Sequence, residues 1–386
     1  MRPETRLVHT ETPRPTGTPL AVPLYQTSGF SFDDLETFAD GMGRPDGAFV
    51  YTRMGNPTVR TLENAVADLE GGAAGLAAAS GMGAIGSVLH GVLRTGDHVV
   101  AQRDLYGGTH ALLRDLAERW GVTVTRVSGH DPDELRAALG PRTRLLYLET
   151  IANPAGHVSD LAALAAVARE AGVLVVVDNT FATPLLCRPV EHGADVVVHS
   201  TTKYLAGHSD VIGGVAVFAD AALHREVWEH AVEYGATADP FAAWLTLRGL
   251  RTLPLRMRAH CANAEVLAHR LAAHPAVAAV HWPGLPDHPS HEVAARLLSG
   301  CGGTFSFDLV GGRAAGEAFV GALRLVKPAP SLGGTETLVL HPASTSHRRL
   351  DEAELRASGI AGGTIRLSAG VEHVDDLWDD LANALP

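Results

Sequence analysis

The feature that most constrains the fold is a series of short apolar segments between residues 76 and 218, separated by segments with helical periodicity. The apolar segments predict strands at Leu76–Ala79, His98–Ala101, Thr123–Val127, Leu145–Leu148, Val173–Val177, Val196–His199 and Val215–Phe218. The segments around and between them predict helices at Val59–Leu69, Gly81–Leu93, Thr109–Trp120, Pro132–Leu139 and Asp160–Ala171, and a short turn near Cys187–His192. Apolar strands that alternate with helices are typical of an α/β fold with a mostly parallel sheet, here seven-stranded, covered by helices on both faces.

The rest of the chain follows a different rhythm. After about residue 221 the pattern predicts longer helices at Leu223–Tyr234, Pro240–Leu250 and Leu255–Ala273. The last third predicts strands near Val277–His281, Gly303–Leu309, Leu323–Val326, Glu336–Leu340 and Thr364–Leu367, with helices near Ser290–Leu298, Ala314–Leu323 and Val374–Ala384. We therefore expect a large domain over residues 56–250 and a smaller C-terminal α+β domain over residues 251–386.

Residues 1–55 are rich in Pro, Gly and Thr and show little periodicity. They nevertheless contain aromatic residues that a disordered tail would lack, among them Tyr25, Phe30, Phe32, Phe49 and Tyr51. A long irregular segment of this kind is often functional. We interpret it as an arm that contacts a neighbouring subunit.

Composition excludes several classes of protein. The net charge is −12 and no basic tract is present, so the sequence argues against a nucleic-acid partner or an anionic membrane surface. No apolar stretch approaches the ~20 residues of a membrane span. The three cysteines, Cys187, Cys261 and Cys301, are far apart, which predicts reduced thiols in a cytoplasmic protein.

Lys203 is the strongest candidate for catalysis. Only Lys203 and Lys327 are lysines among 31 basic residues, and Lys203 follows an apolar strand and a cluster of hydroxyl residues, Ser200-Thr201-Thr202. Such a strand delivers the amine to the carboxyl edge of the sheet, where α/β proteins bind ligands. A lysine in a pocket there can lose its proton and attack a carbonyl, whereas arginine stays protonated.

Asp178 ends another apolar strand, 25 residues before Lys203, which is about one strand–helix–strand step. Sequential strands of this kind are usually neighbours, so the carboxylate and the amine are expected at the same edge. By itself Asp178 would be read as a helix cap or a buried salt bridge. Beside Lys203, a cationic cofactor is the better partner, and the protonated ring nitrogen of pyridoxal 5′-phosphate supplies that cation.

The phosphate of such a cofactor needs donors. Ser80-Gly81-Met82-Gly83 follows a strand and opens a helix, so its backbone N–H groups point at one spot. Ser200 and Thr202 flank Lys203 and are further candidates, with local hydrogen bonding at the strand end as the alternative. Tyr106 follows another strand end beside two glycines and is a candidate for stacking on a planar ring, although packing is the commoner role of a single tyrosine.

Two other function classes remain open at this point. The chain could bind the cofactor without catalysis, although the intact Lys203, Asp178 and Tyr106 argue for an enzyme. A metal centre is the other alternative, because the chain contains 20 histidines. His281, His288 and His291 lie in a Pro-rich turn without the i, i+4 spacing of a zinc site, so we expect no metal there.

The segment Ser200–Asp210 strongly resembles the cofactor-attachment signature of the Cys/Met-metabolism pyridoxal-phosphate enzymes, the group of cystathionine γ-synthase, cystathionine γ-lyase, methionine γ-lyase and homoserine sulfhydrylase. The resemblance extends over nearly the whole chain. The other matching segments are Tyr51–Thr58, Ser80–Met82, Tyr106–Thr109, Glu149–Pro154, Asp178–Pro184, Ser331–Leu338 and Ile365–Gly370. It implies the fold of the type I pyridoxal-phosphate transferases.

The resemblance also implies roles for individual residues. Lys203 would bond covalently to the cofactor aldehyde and move protons, with Asp178 at the ring nitrogen and Tyr106 stacked on the ring. Gly81, Met82, Ser200 and Thr202 would bind the phosphate, together with Tyr51 and Arg53 of a neighbouring subunit. Arg366 would bind the substrate carboxylate, with Ser331 and Asn153 nearby, and Tyr51 would also reach the substrate. The enzymes of this group share active sites across a dimer and are usually tetramers.

The expected reaction is γ-elimination on a sulfur amino acid such as L-methionine or L-cystathionine, giving 2-oxobutanoate, ammonia and a thiol. The alternative is γ-replacement, as in cystathionine γ-synthase or O-acylhomoserine sulfhydrylase. Val50 and Pro330 stand where the cystathionine enzymes often carry acidic residues, which favours an apolar thioether tail. Gly108 stands where methionine γ-lyases typically carry cysteine, which weighs against methionine.

Overall fold

The computed structural model describes residues 2–8, 16–345, 348, 355 and 360–386. Its helices are α1 (Pro3–Val8), α2 (Leu35–Gly41), α3 (Pro57–Glu70), α4 (Gly81–Val92), α5 (Gly107–Trp120), α6 (Pro132–Ala138), α7 (Leu161–Glu170), α8 (Thr183–Leu186), α9 (Ala221–Tyr234), α10 (Pro240–Leu250), α11 (Leu253–Ala272), α12 (His291–Leu297), α13 (Gly312–Ala322) and α14 (Val374–Ala384). Its strands are β1 (Ala74–Ala78), β2 (His98–Gln102), β3 (Thr123–Val127), β4 (Thr143–Glu149), β5 (Leu174–Asp178), β6 (Val196–His199), β7 (Gly214–Phe218), β8 (Val277–His281), β9 (Thr304–Leu309), β10 (Lys327–Pro328), β11 (Leu338–Leu340) and β12 (Thr364–Ser368).

A seven-stranded sheet with the order β1-β7-β6-β5-β4-β2-β3 forms the larger part of the structure. The strands β3, β2, β4, β5 and β6 run parallel, whereas β7 is antiparallel to both β6 and β1. The connection from β6 to β7 contains turns but no helix, and a parallel pairing needs a longer crossover. The predicted α/β fold with a mostly parallel seven-stranded sheet is confirmed.

Successive strand residues point to opposite faces of this sheet, and both faces are buried. Val175 and Val177 of β5 pack in one apolar cluster, while Val176 between them packs in another. The first cluster includes residues of α3 and α7, and the second includes residues of α4, α5 and α9. Burial on both faces explains why the strands are apolar throughout, without alternating polar positions.

The C-terminal part contains a second sheet, of five strands, with the order β10-β11-β12-β9-β8. The strand β12 lies at its centre and is antiparallel to β11 and β9. One apolar cluster joins this sheet to α11, α13 and α14 through Leu267, Phe307, Phe319 and Leu377. The predicted smaller α+β part is therefore confirmed.

One predicted strand, Leu323–Val326, is wrong. These residues form a bend, and the strand β10 begins only at Lys327. The carboxylate of Asp380, on α14, accepts hydrogen bonds from the backbone N–H groups of Arg324, Leu325 and Val326 at 2.9, 3.0 and 2.8 Å. Because the Asp380 side chain accepts hydrogen bonds from these N–H groups, the segment cannot use them in a sheet.

No helix of the described residues is both long and apolar enough to cross a membrane.

Candidate active site

The carboxyl edge of the large sheet brings polar residues together at the ends of three adjacent strands. The strands β4, β5 and β6 end at Glu149, Asp178 and His199, and Glu149 stands opposite Asp178 in the strand pairing. The loops after β4 and β6 carry four of the predicted site residues, Asn153, Ser200, Thr202 and Lys203. This edge is where parallel α/β sheets bind ligands.

Lys203 lies in a turn that follows β6, and its side chain is half-buried. Its Nζ donates a hydrogen bond to Ser331 Oγ at 2.7 Å. Burial, and then the positive charge of Arg366, lower the pKa of Lys203 to about 8. A larger share of this amine is therefore neutral near physiological pH than for an ordinary lysine, as attack on a carbonyl requires.

Arg366 projects from β12 of the smaller sheet and is only 8% exposed. Its Nη2 donates to the carbonyl oxygen of Ser331 at 2.9 Å, and its Nη1 donates to Asn153 Oδ1 at 3.4 Å. Ser331 itself adopts φ 91°, a left-handed conformation that is strained for a residue with a side chain. The structure therefore brings Arg366, Ser331, Asn153 and Lys203 together from both sheets.

Asp178 accepts a hydrogen bond from the backbone N–H of Thr180 at 3.0 Å. Burial raises the pKa of Asp178, while its hydrogen bonds to Thr180 and the nearby His199 act in the opposite direction. Among the described residues, no Lys, Arg or His side chain forms an ion pair with this carboxylate. A half-buried carboxylate without a cationic partner fits a protonated ring nitrogen.

The N-terminus of α4 forms a cradle for an anion. Ser80 Oγ accepts the N–H of Gly83 at 2.9 Å, and the N–H groups of Gly81 and Met82 have no acceptor within the described part of the chain. A Cβ at position 81 would lie 2.8 Å from Ser200 Cβ, so only glycine lets the two segments approach this closely. Thr202 Oγ1 accepts the N–H of Gly213 at 3.0 Å, which is the local role considered as its alternative.

Tyr106 immediately precedes α5 and is 49% exposed. Its ring lies across Gly108, in the space that a side chain at position 108 would fill, and Met82 Sδ borders the same space. Burial lowers the pKa of Arg366, and the nearby Tyr204 and Tyr106 act in the opposite direction. Tyr106 therefore lies beside Met82, with about half of its surface exposed.

Tyr51 and Arg53 are not brought to the site of their own chain. Arg53 Nη1 donates to the carbonyl oxygen of Val232, in α9, at 2.7 Å, and its guanidinium lies 5.7 Å from the centre of the Tyr51 ring. Tyr51 is 46% exposed. Within the described part of the chain, neither residue forms a hydrogen bond or ion pair with Lys203, Asp178 or Arg366.

Glu149, at the end of β4, was not among the site residues predicted from the sequence. Glu149 is 4% exposed, lies beside Asp178, and accepts the backbone N–H of Tyr106 at 2.6 Å. The signal that selected Asp178, an apolar strand that ends in a carboxylate, is equally present in Leu145–Glu149. Applying it to every strand would have found this residue.

The histidines of the Pro-rich turn have other roles. His281 bonds Asp308 at 2.8 Å, His288 bonds the carbonyl oxygen of Ala155 at 3.3 Å, and His291 bonds that of Pro283 at 3.0 Å. No group of three or more His, Cys, Asp or Glu side chains in the described ranges is arranged to hold a metal ion. Through these hydrogen bonds, the histidines connect the turn to neighbouring segments.

The arrangement fits pyridoxal phosphate in three respects: a cradle with free N–H donors, a half-buried carboxylate without a cationic partner, and an amine with a lowered pKa. Comparison with known proteins agrees. A profile of the family described as "Cys/Met metabolism PLP-dependent enzyme" matches residues 4–386. The L-methionine gamma-lyase of Porphyromonas gingivalis is 45% identical over 95% of this chain and 92% of its own length.

Two further relatives extend the comparison. The cystathionine gamma-synthase of Mycobacterium bovis is 43% identical over 99% of this chain and 96% of its own. The crystal structure of cystathionine gamma synthase from Xanthomonas oryzae pv. oryzae, in complex with aminoacrylate and cysteine, superposes with a TM-score of 0.88 at 44% identity, over 95% of this chain and 92% of that one. The chain therefore belongs to the Cys/Met-metabolism family of pyridoxal-phosphate-dependent enzymes and uses pyridoxal 5′-phosphate as its cofactor.

Proposed function

We propose that this enzyme catalyses γ-elimination on a sulfur amino acid such as L-methionine or L-cystathionine, giving 2-oxobutanoate, ammonia and a thiol. The observation that carries the proposal is that Ser331 contacts both Lys203 and Arg366. Lys203 Nζ lies 2.7 Å from Ser331 Oγ, and Arg366 donates a hydrogen bond to the carbonyl oxygen of Ser331. An amine able to move protons thus lies next to an arginine suited to a carboxylate. This pairing is what removal of a proton from the α-carbon of an amino acid requires.

Each site residue has a separate role in the proposed reaction. When bound, the cofactor supplies an aldehyde for the amino group and a ring that accepts electrons from the substrate. Arg366 binds the substrate carboxylate bidentately, with Ser331 and Asn153 fixing its guanidinium. Lys203 Nζ takes the proton from Cα, Asp178 keeps the ring nitrogen protonated, and Tyr106 stacks on the ring. Gly81, Met82, Ser200 and Thr202 bind the phosphate.

The end of the site that meets the sulfur substituent favours an apolar tail. Pro330 is exposed beside Ser331, and it carries no charge that would pair with a second ammonium group. Val50 is buried in the arm against Gly41, so in a single chain only Pro330 borders open space. The 45% identity to a relative named L-methionine gamma-lyase supports the same direction.

The reaction is tested by supplying L-methionine or L-cystathionine to the holoenzyme and measuring 2-oxobutanoate and the released thiol. We expect both products, and we expect the Lys203→Ala variant to form neither. Products found only with an activated homoserine ester and a thiol would assign γ-replacement instead, as the similarity to a cystathionine gamma-synthase allows. An absorbance band that does not change with any amino acid would indicate a non-catalytic binder.

The proposed assembly is a dimer with shared active sites, and two such dimers form a tetramer. Residues 1–55 would form the arm, residues 56–250 the cofactor domain and residues 251–386 the smaller domain. Tyr51 and Arg53 would complete the phosphate and substrate sites of the neighbouring subunit, because they lie exposed and away from their own site. The exposed apolar side chains Leu20 (98%) and Leu24 (40%) are candidates for burial by a partner subunit.

The proposed location is the cytoplasm, a reducing compartment in which the free thiols of Cys187, Cys261 and Cys301 stay reduced.

A further inference from the structure

Glu149 is a buried carboxylate to which the proposed mechanism gives no role. Its Oε1 accepts the backbone N–H of Tyr106 at 2.6 Å, and its Oε2 accepts the backbone N–H of Asn153 at 3.4 Å. Tyr106 lies in the loop after β2, and Asn153 lies in the loop after β4. One side chain therefore joins two loops that approach the cavity from different strands.

Burying an ionised carboxylate at this position costs free energy. Burial, and then the adjacent Asp178, raise the pKa of Glu149, while the N–H groups of Tyr106 and Asn153 act in the opposite direction. The two acids stand opposite each other on neighbouring parallel strands and so project to the same face of the sheet. An apolar side chain would avoid this cost but would leave the two N–H groups without their acceptor.

The two loops end in groups that act on different parts of the reactants. The Tyr106 ring is assigned to the cofactor ring, and Asn153 Oδ1 accepts from Arg366, which is assigned to the substrate carboxylate. The loops are joined a second time where His157 Nδ1 bonds Asp104 Oδ2 at 2.9 Å, but that pair is about one-third exposed. Glu149 is the buried member of this connection.

We propose that Glu149 is a positioning residue, whose carboxylate holds the Tyr106 loop and the Asn153 loop in one arrangement over the cofactor. The proposal rests on the roles assigned to Tyr106 and Asn153 in the proposed function. It means that a single side chain, touching neither reactant, sets both how the cofactor ring is stacked and how the amino acid is oriented. Orientation of this kind contributes to rate through proximity of the reacting groups.

The test compares Glu149→Gln with Glu63→Gln. Glu63 is a matched control because it is also a buried glutamate, 8% exposed, with a raised pKa caused first by burial, and it accepts a backbone N–H, that of Ala77, at 2.9 Å. It contacts neither loop. The glutamine at position 149 keeps one acceptor oxygen, but its NH₂ group faces the second N–H.

The primary readout is independent of turnover. We expect Glu149→Gln to weaken the affinity of the cofactor-free protein for pyridoxal phosphate by roughly tenfold, the cost of one buried donor left unpaired. The visible circular dichroism of the bound cofactor, which reports ring orientation, should fall with it, and KM for L-methionine should rise. Glu63→Gln should change the temperature of thermal unfolding but none of these.

A double-mutant cycle separates positioning from general loss of stability. In a Tyr106→Ala background the effect of Glu149→Gln on cofactor affinity should largely disappear, because the ring that it positions is gone. Equal losses in the two backgrounds, or equal cofactor affinity in Glu149→Gln and Glu63→Gln, would overturn the proposal. If Glu149→Gln does not fold, Glu149→Asp carries the same comparison, since its shorter side chain cannot reach both N–H groups.

Failure of this proposal is distinguishable from failure of the proposed function. A wild-type enzyme that binds the cofactor but leaves L-methionine and L-cystathionine unchanged contradicts the proposed function only. The cofactor affinities and the dichroism would still decide the role of Glu149.

Discussion

The carboxyl edge of the large sheet and the N-terminal arm both carry residues assigned to the cofactor, but the two regions are built differently. At the sheet edge, Asp178 and Lys203 follow buried strands, and Arg366 is 8% exposed with its guanidinium bonded to Asn153 and Ser331. In the arm, Tyr51 is 46% exposed and Arg53 bonds the surface helix α9. In the proposed assignment, the residues at the sheet edge come together within one chain, whereas Tyr51 and Arg53 would act in the site of a neighbouring subunit.

The arm is nevertheless fixed to its own chain at its base. Asn56 Nδ2 donates to the carbonyl oxygen of Tyr25 at 2.8 Å, and Trp244 Nε1 donates to that of Val22 at 2.9 Å. These bonds fix the segment around Val22 and Tyr25 to α10 and to the residue that precedes α3. The difference leads us to propose that folding of one chain preorganises the residues at the sheet edge, whereas assembly with a neighbour places Tyr51 and Arg53.

The largest expected effect tests the sheet edge. Asp178→Asn keeps the shape of the side chain but removes the charge that holds the proton on the ring nitrogen. We expect kcat to fall by about a thousandfold, the loss typical of a removed electrostatic contact to the reacting group. The holoenzyme is assayed with L-methionine, and Asp195→Asn, at the opposite end of the sheet, is the control. Near-normal turnover in Asp178→Asn would show that this carboxylate does not face the ring.

The second prediction concerns the substrate carboxylate. Arg366→Leu removes the two bonds to Ser331 and Asn153 together with the bidentate donor, and we expect kcat/KM to fall by about a hundredfold. Decarboxylated substrate analogues should lose little, because they lack the group that Arg366 binds. An equal loss for substrates with and without the carboxylate would contradict this role.

The third prediction moves to the arm and tests the contrast itself. Arg53→Ala should weaken cofactor binding by roughly tenfold, through loss of a phosphate contact. If the residue acts across the interface, then at a cofactor concentration too low to fill Arg53→Ala alone, mixing it with Lys203→Ala subunits before reassembly should restore about a quarter of wild-type activity, because half of the dimers then hold one intact site. Subunit mixing that restores nothing would place Arg53 in its own chain's site and remove the contrast.

The smallest expected effect tests what lowers the pKa of Lys203. Burial and Arg366 lower the pKa of this amine to about 8, so its neutral form, which attacks the aldehyde, grows as pH rises through 8. Uptake of pyridoxal phosphate by the cofactor-free protein should therefore accelerate by about tenfold per pH unit below 8 and then level off. Removing the cation in Arg366→Leu should move the midpoint to higher pH, whereas Arg270→Leu, a remote arginine that pairs with Asp375, should not. An unmoved midpoint would mean that burial alone sets this pKa.

The central residues were predictable because strand ends are readable from sequence. An apolar β-branched run that stops at Asp178, or at the hydroxyl cluster before Lys203, locates the carboxyl edge without knowledge of the fold, and sequential strands are usually neighbours. The structure confirms that β5 and β6 are neighbours. Arg366 carried no such local signal, and only the family resemblance pointed to it.

The features that sequence reasoning missed depend on contacts between distant segments. The bend at 324–326 exists because Asp380 of α14 takes its N–H groups, and nothing within those residues indicates this. The left-handed Ser331 is stabilised by Arg366 and Lys203, both far away in the chain. Glu149 was readable as a strand end, but its bonds to the Tyr106 and Asn153 loops were not.

The most direct test of the account is reduction of the holoenzyme with borohydride, followed by peptide mapping. The account predicts one stable cofactor adduct, on the peptide that contains Lys203, and no adduct in the Lys203→Ala variant. An adduct on Lys327, whose Nζ donates instead to the carbonyl oxygen of Arg324 at 2.7 Å, would contradict the assignment of the amine. So would a cofactor-loaded enzyme with no adduct at all.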